Sequence, residues 1–479
     1  MAKYTCFVRI LERLNQTFGV KRTTSFIIMP LIALVLCSPA LAEEKRPNIV
    51  IILTDNLGWG DVGIYGGGIL RGAPTPNIDN LALEGLRLLN FNVEPWCVPS
   101  RAALMTGRYP LRTIVSGKCT AYCKQYLQES EITIAELLSD AGYETAIYGK
   151  WHLGKQAGLF PTDQGFDEWR GIPDTSNNAE WDTKVQYDAS LAPMQRVVQA
   201  KKGGKIKDIK AYDISARRTI DAESTHKAVN FIEKHAKTGK PFFLYVPFTQ
   251  VHSPTLPHPD FEGRTGNGNV ADVLAELDFR TGEILDTIDN LGIADDTIVI
   301  WTSDNGPSQY YPHGATGYWR GHVPSALEGA IRVPFIIRWP HKIMSGRVNN
   351  EIVHIVDLLP SLASAVGVQL PKDRVFDGVD QMDFFIGTQA KSNREGFPIG
   401  AYGKMYAYKW RNWKIHYAKQ DAMIVVEQDV ELGIYNLLID PKEEHPMGRE
   451  VGWVERVIRN EIKQLEDTLG FSFKIPVFL

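Results

Sequence analysis

Two oxygen-rich dipeptides are candidate metal ligands. Asp55-Asn56 follows the apolar run 49–53, and Asp304-Asn305 follows a second apolar run, 297–302. Carboxylate and amide oxygens, without sulfur or clustered imidazole, suit a hard cation such as Ca²⁺ or Mg²⁺. One such pair alone reads as a turn, since Asp and Asn are common turn residues. Two of them, each ending a strand-like run, point to a site. A second group surrounds Cys97, in Cys97-Val-Pro-Ser-Arg101 followed by Ala-Ala-Leu-Met-Thr-Gly-Arg108. An ordinary unpaired thiol is buried and inert unless its pKa is lowered and it is accessible. Cys97, however, precedes a helix predicted over 100–106, and helix N-termini favour an anion. Arg101 is a permanent cation four residues on, able to neutralise metal carboxylates. Lys150 and His152 stand two apart in Gly149-Lys-Trp-His-Leu-Gly154, so in a strand register both face one way. His252 lies in Val251-His-Ser-Pro254, after another apolar run. Its neighbour His258 reads as a loop histidine.

These residues need elements to bring them together. The run 47–54 is short, apolar and rich in β-branched residues, which suits a strand buried on both faces of a parallel sheet. Further strands are predicted over 145–148, 241–248, 297–302 and 333–339. Helices are predicted from 75 to about 88 with Asn77 as N-cap, around 132–141, over 217–237 and over 270–291. Strands alternating with helices imply a mostly parallel α/β sheet, which binds ligands beyond the carboxyl ends of its strands. Each chemical group named above falls just after a predicted strand, apart from Cys97 and Arg101. Residues 155–215 show weak periodicity and read as an insertion at the level of the site. After about 385 the texture changes: 410–417 and 432–439 read as antiparallel strands, and 454–469 as a closing helix.

The chain has 479 residues, 44% hydrophobic and 23% charged, with a net charge of −4. That suits one large domain plus a smaller one and offers no basic face for nucleic acid. Lys21-Arg22, the apolar stretch 26–36 and Ala40-Leu-Ala42 read as a secretory signal peptide over 1–42, with no membrane anchor in the mature chain. The protein is therefore expected to be exported, periplasmic or secreted. Of five cysteines, three then remain, and Cys119 with Cys123 form a candidate short-loop disulfide that leaves Cys97 odd.

The Cys97–Arg108 run resembles the maturation signal of type I (formylglycine-dependent) sulfatases. The likeness extends along the chain. Asn48-Ile-Val-Ile-Ile-Leu-Thr-Asp55, Thr75-Pro-Asn-Ile-Asp79, Gly149-Lys-Trp-His-Leu-Gly154, Gly165-Phe-Asp-Glu168, Thr302-Ser-Asp-Asn-Gly306 and Glu328-Gly-Ala-Ile-Arg-Val-Pro334 are similar to successive motifs of that family. Trp413-Lys-Ile-His416, Ile434-Tyr-Asn-Leu437 and Asp440-Pro441 resemble its small C-terminal subdomain. The resemblance implies an alkaline-phosphatase-like fold, with a catalytic domain over 43–385 and an α+β subdomain over 386–479. It implies an arylsulfatase-like hydrolase of sulfate monoesters, aryl or sugar. In it Cys97 becomes formylglycine through a maturation enzyme. Asp55, Asn56, Asp304 and Asn305, with Cys97, hold one Ca²⁺. Arg101, Lys150, His152 and His252 surround the sulfate. The chain departs from the family twice. Asn56 stands where a second aspartate is usual, and Val323 stands where a lysine normally contacts sulfate, leaving adjacent His322 as a candidate substitute. A phosphate or phosphonate monoester hydrolase is the alternative, and a non-catalytic sulfated-glycan binder is the second, if Cys97 stays a thiol.

Overall fold

The structure, a computed structural model, describes residues 45–113, 127–308, 314–401, 404–419 and 430–478. The expected signal peptide and the Cys119–Cys123 pair lie outside the described residues.

The main sheet contains β1 (Asn48–Thr54), β2 (Leu86–Asn92), β3 (Glu144–Lys150), β4 (Glu168–Ile172), β5 (Arg196–Lys201), β6 (Lys207–Ala211), β7 (Phe242–Pro247), β8 (Thr297–Ser303) and β9 (Arg332–Arg338). Two short strands, β10 (Arg347–Asn349) and β11 (Val353–His354), pair with β2. The order is β10-β2-β9-β8-β1-β7-β3-β4-β5-β6. The five strands β8-β1-β7-β3-β4 run parallel. Every residue of β1 is buried. Its pleat divides two cores: Ile49, Ile51 and Leu53 face one, Val50 and Ile52 the other. The first core takes in residues of α2 (Cys97–Thr106), α3 (Ile134–Asp140) and α6 (Leu358–Ala365). The second takes in residues of α1 (Pro76–Leu83), α4 (Ile214–Ala236) and α5 (Asn269–Asn290). A sheet covered on both faces explains why its central strands read as continuous apolar runs.

Four details of the expected architecture are refined. The helix expected to reach about Leu88 ends at Leu83, and Leu86–Asn92 is a strand antiparallel to β9. Gly85 allows that crossing, because a Cβ there would lie 2.2 Å from the Ile337 carbonyl oxygen. The N-cap position belongs to Thr75, with Pro76 opening the helix, while Asn77 donates to Asp278 Oδ2 at 2.8 Å. The fifth predicted strand, β9, runs antiparallel to β8. The 155–215 stretch carries β4, β5 and β6, which extend the sheet. β6 (Lys-Asp-Ile-Lys-Ala) is an edge strand with no buried residue, so it lacks an apolar pattern to read.

A second, four-stranded antiparallel sheet is formed by β12 (Gly396–Ala401), β13 (Lys404–Trp410), β14 (Trp413–His416) and β15 (Gly433–Asn436). Val454, Ile458 and Ile462 of α7 (Gly452–Leu469) pack on it. A buried ionic cluster ties this sheet to the stretch before β9. Glu328 meets Arg332 at 2.6 Å, Lys409 at 2.7 Å and Lys414 at 3.1 Å. Glu443 meets His416 at 2.6 Å and Lys414 at 3.1 Å.

Candidate active site

Sheet register assembles the site. On one side of β1, Leu53 and Thr54 pair with Thr302 and Ser303; on the other, Leu53 pairs with Pro247. The residues that follow therefore emerge side by side. The Asp304 amide donates to the Thr54 carbonyl at 3.0 Å. The Asp55 amide donates to the Gln250 carbonyl at 2.8 Å, and the Val251 amide returns a bond to the Asp55 carbonyl at 2.7 Å. β3, beyond β7, delivers Lys150. The chain then turns at Asn56 with φ 63°, a left-handed conformation that Asn tolerates well, and its amide donates to Asp304 Oδ1 at 3.2 Å.

The second half of the site is α2. Cys97 is its first residue and follows Trp96, which is extended and gives no side-chain cap. Cys97 Sγ lies 3.7 Å from Asp55 Oδ1 and 3.8 Å from Asn56 Oδ1. Ligand atoms of Asp55, Cys97 and His252 all fall within 4.8 Å of one another. One helical turn on, Arg101 is wholly buried. Its Nε and Nη2 reach Asp304 Oδ2 at 3.0 and 2.9 Å, its Nη1 donates to the Lys150 carbonyl at 2.9 Å, and Nη2 is 3.6 Å from Asp55 Oδ2. Lys150 Nζ donates to Asp55 Oδ2 at 2.6 Å.

Electrostatics follow from this geometry. Burial alone would raise Asp55, but Lys150, His252 and Arg101 hold it below the usual carboxylate range. Burial and the charge of Asp55 raise Asp304. Burial and the two carboxylates hold the Cys97 thiol well above its ordinary value, against Lys150 and Arg101. An unmodified thiol there stays protonated, a poor nucleophile. Burial drives His252 down to about 4, with Asp55 opposing the shift. Burial, Lys150 and Arg101 depress His152 further.

The donor set fits a hard divalent cation. Two carboxylates that repel each other and two amide oxygens converge, and Asn305 Oδ1 is buried with no hydrogen-bond partner among the described residues. Asn305 Nδ2 is used, donating to Asn56 Oδ1 at 2.6 Å and the Gly306 carbonyl at 2.8 Å. That leaves the oxygen as the free ligand atom, the arrangement a calcium or magnesium ion would satisfy.

Asp55, Asn56, Cys97, Arg101, Lys150, Asp304 and Asn305 thus converge by direct contacts, and His252 joins them. His152 belongs to the same electrostatic neighbourhood, though not through strand pleating. β3 ends at Lys150, and His152 has φ 60°, so a left-handed bend orients it. Its Nε2 lies 3.7 Å from Asp174 Oδ1. Half-buried His322 adjoins Val323, whose side chain is buried and whose amide donates to the Pro307 carbonyl at 2.9 Å. The position where the resemblance implies a lysine is here an apolar side chain, tied through its amide to Pro307, two residues after Asn305 in the sequence. Asp174, Arg217, Asp221 and Thr249 escaped the sequence reading. Their link to His152 and His252 is purely tertiary, and only the i,i+4 spacing of Arg217 and Asp221 on one helix hints that they act together.

The Sulfatase family profile matches residues 47–368, the segment that carries every one of these residues. The chain belongs to the sulfatase family. A second profile, N-sulphoglucosamine sulphohydrolase, C-terminal, matches residues 325–468. This sulfatase is 34% identical over 365 residues to dog N-acetylgalactosamine-6-sulfatase, covering 73% of this chain and 68% of the relative. It is 32% identical over 406 residues to bovine arylsulfatase A, covering 80% and 77%. The crystal structure of PsFucS1 sulfatase from Pseudoalteromonas sp. superposes with a TM-score of 0.79 at 32% identity, covering 88% of this chain and 91% of that one. The sulfatase has the alkaline-phosphatase-like fold and is a sulfuric ester hydrolase. Among its described residues, no helix is long and apolar enough to cross a membrane.

Proposed function

We propose that this sulfatase hydrolyses a sulfate monoester at Cys97, matured to formylglycine, beside a Ca²⁺ held by Asp55, Asn56, Asp304 and Asn305. The observation that carries the reading is the approach of Cys97 Sγ to Asp55 Oδ1 and Asn56 Oδ1 at 3.7 and 3.8 Å. It supports a residue modified and used there rather than a structural thiol. Formylglycine, when formed, supplies a hydrated aldehyde whose two hydroxyls allow both attack on sulfur and later release of sulfate. Bound calcium supplies positive charge for the sulfate oxygens.

The chain's own side chains do the rest. Lys150 and Arg101 neutralise Asp55 and Asp304 and direct positive charge at a bound sulfate. His252 Nδ1 is 2.7 Å from the Ser253 carbonyl, which can only accept, so Nδ1 carries hydrogen. The acid is the imidazolium, favoured by Asp55 and by the negative charge of a bound sulfate, whose second proton on Nε2 passes to the departing oxygen. His152 serves as the base that accepts a proton as sulfate is released. With valine at 323, Lys150 and His252 carry the leaving-group side, and His322 is the candidate for added support.

One relative, N-acetylgalactosamine-6-sulfatase, and one matching family profile, N-sulphoglucosamine sulphohydrolase, C-terminal, bear sugar-sulfatase names. These names support a sulfated carbohydrate as natural substrate, with aryl sulfates as assay substrates. Residues 1–42 direct export to the periplasm or medium, the chemistry belongs to 43–385, and 386–479 forms the supporting subdomain. Maturation requires a formylglycine-generating enzyme, so expression is tested in a host that has one.

The decisive experiment is mass spectrometry of the Cys97 peptide with rates on 4-nitrophenyl sulfate and 4-nitrophenyl phosphate. The peptide is expected about 18 Da lighter than its cysteine form, from loss of sulfur and two hydrogens and gain of one oxygen at the side chain. Sulfate is expected to be turned over much faster than phosphate, and Cys97→Ser to abolish turnover. Faster phosphate cleavage would move the assignment to a phosphate or phosphonate monoester hydrolase. An unmodified, inactive Cys97 protein that retains sulfated glycan would make it a binder.

A further inference from the structure

The loop that presents His252 is held from beneath by one face of α4. Arg217 Nη1 donates to Thr249 Oγ1 at 2.7 Å. Its Nη2 reaches the Thr249 carbonyl at 3.2 Å, Gln250 Oε1 at 2.8 Å and the His252 carbonyl at 2.7 Å. One turn later, Asp221 Oδ1 accepts from the Thr249 amide at 2.9 Å, and Oδ2 accepts from the Gln250 amide at 3.0 Å. Both carboxylate oxygens also lie 3.0 Å from Thr249 Oγ1. Arg217 and Asp221 are 1% and 4% exposed, and Thr249 is fully buried. The remaining ties of the loop lead into the site: the Gln250 carbonyl accepts from the Asp55 amide, and the Val251 amide donates to the Asp55 carbonyl.

We propose that Arg217 and Asp221 are positioning residues that fix where the His252 imidazole meets the leaving group. This rests on the acid role assigned to His252. A salt bridge kept only for helix packing would bond within α4 or to a neighbouring helix. Here the guanidinium spends its bonds on three positions around the turn, Thr249, Gln250 and His252, ending on the carbonyl of His252 itself. The carboxylate takes the two backbone amides that precede it. A rigid planar fork suits that task and a lysine ammonium does not, since a point donor on a flexible stem cannot span Thr249, Gln250 and His252 together. Proton transfer needs hydrogen-bond contact with the departing oxygen, so a small shift of the loop weakens acid catalysis before it weakens sulfate binding.

Acid assistance matters most when the departing oxygen is basic, which gives a readout that a structural defect does not move. The matured enzyme, its Arg217→Lys, Asp221→Asn and Thr249→Val variants, and His252→Ala are compared on aryl sulfates from 4-nitrophenyl to 4-methylphenyl. Loss of folded protein lowers all rates equally. Loss of positioning is expected to lower kcat about 3-fold on 4-nitrophenyl sulfate and about 100-fold on 4-methylphenyl sulfate, within the range of general acid catalysis, with KM nearly unchanged. His252→Ala is expected to show the same slope more steeply. Thr249→Val keeps the shape of the side chain and both buried charges, so it reports even where the charge variants do not fold. Equal losses across the series in the brace variants, beside a steep His252→Ala profile, would overturn the positioning role. A flat profile in His252→Ala as well would overturn the acid assignment on which it rests.

Discussion

Asn56 carries an amide where a third carboxylate would crowd the site. Its Oδ1 accepts from Asn305 Nδ2, and Asp55 and Asp304 already repel each other nearby. Asp tolerates a left-handed backbone as Asn does, so Asn56→Asp introduces charge with little backbone strain. The added charge favours a bound cation and disfavours the site without one. The variant is expected to bind Ca²⁺ about tenfold more tightly in calorimetric titration, a change of about 1.4 kcal/mol. It is also expected to melt at lower temperature than the parent in chelator. An unchanged affinity in a folded variant would remove Asn56 from the ligand set. At this scale the sequence was informative because each candidate ligand or catalytic group sits in a motif of its own. The shared strand register expected of Lys150 and His152 holds only for the first: Lys150 ends the strand, whereas His152 follows it through a bend at φ 60°. Arg217, Asp221 and Asp174 were not legible, because nothing local distinguishes them from ordinary helix and loop polar residues.

At the level of elements, the site is as precise as the register of β8, β1, β7 and β3. Gly149, just before Lys150, marks where β3 passes closest to β7. Its φ is 138°, and a Cβ would stand 2.0 Å from the Pro247 carbonyl oxygen. Backbone cannot yield there as the end of a flexible side chain can. Gly149→Ala is therefore expected to part the two strands, displace Lys150 from Asp55, and lower stability by about 2–4 kcal/mol in urea unfolding, the range for strained core substitutions. Activity should fall in protein that remains folded. Wild-type stability with wild-type rates would show that the sheet end is more plastic than its packing implies. The central strands were legible because burial on both faces makes them continuous apolar runs. β2 was not, because Leu86 and Leu88 continue the apolar spacing of the preceding helix and only Gly85 marks the break. β6 was obscured by its position at the solvent-facing edge.

Across the whole molecule, the small sheet is joined to the catalytic one by buried charge as well as by apolar packing. Glu328 is fully buried and serves Arg332, Lys409 and Lys414 at once. Burial opposes its ionisation, but Lys409, Lys414 and Arg332 hold it well below the ordinary 4.5. Glu328→Gln leaves three cations with, among the described residues, only Glu443 within salt-bridge distance as a counter-charge. Breaking a buried ion pair from one side destabilises by about 3–5 kcal/mol, so the variant is expected to lose that much in urea unfolding at pH 7. Amides of β13 and β14 should be the first to gain hydrogen exchange. The sign of the pH dependence follows from the depressed pKa. The stabilisation from Glu328 is complete above the unfolded-state value near 4.5 and fades as pH falls toward the folded value. The gap between parent and variant should therefore be constant from pH 6 to 8 (about the plateau set by that carboxylate) and narrow below about 4.5. Adding Lys409→Met to Glu328→Gln removes one of the stranded cations and should recover part of the loss, as coupled neighbours in a network do. A gap that widens on acidification, or a double variant no more stable than the single one, would mean that apolar packing of Phe397, Ile399, Tyr406 and Ala407 into the main core, rather than the Glu328 cluster, holds the two sheets together.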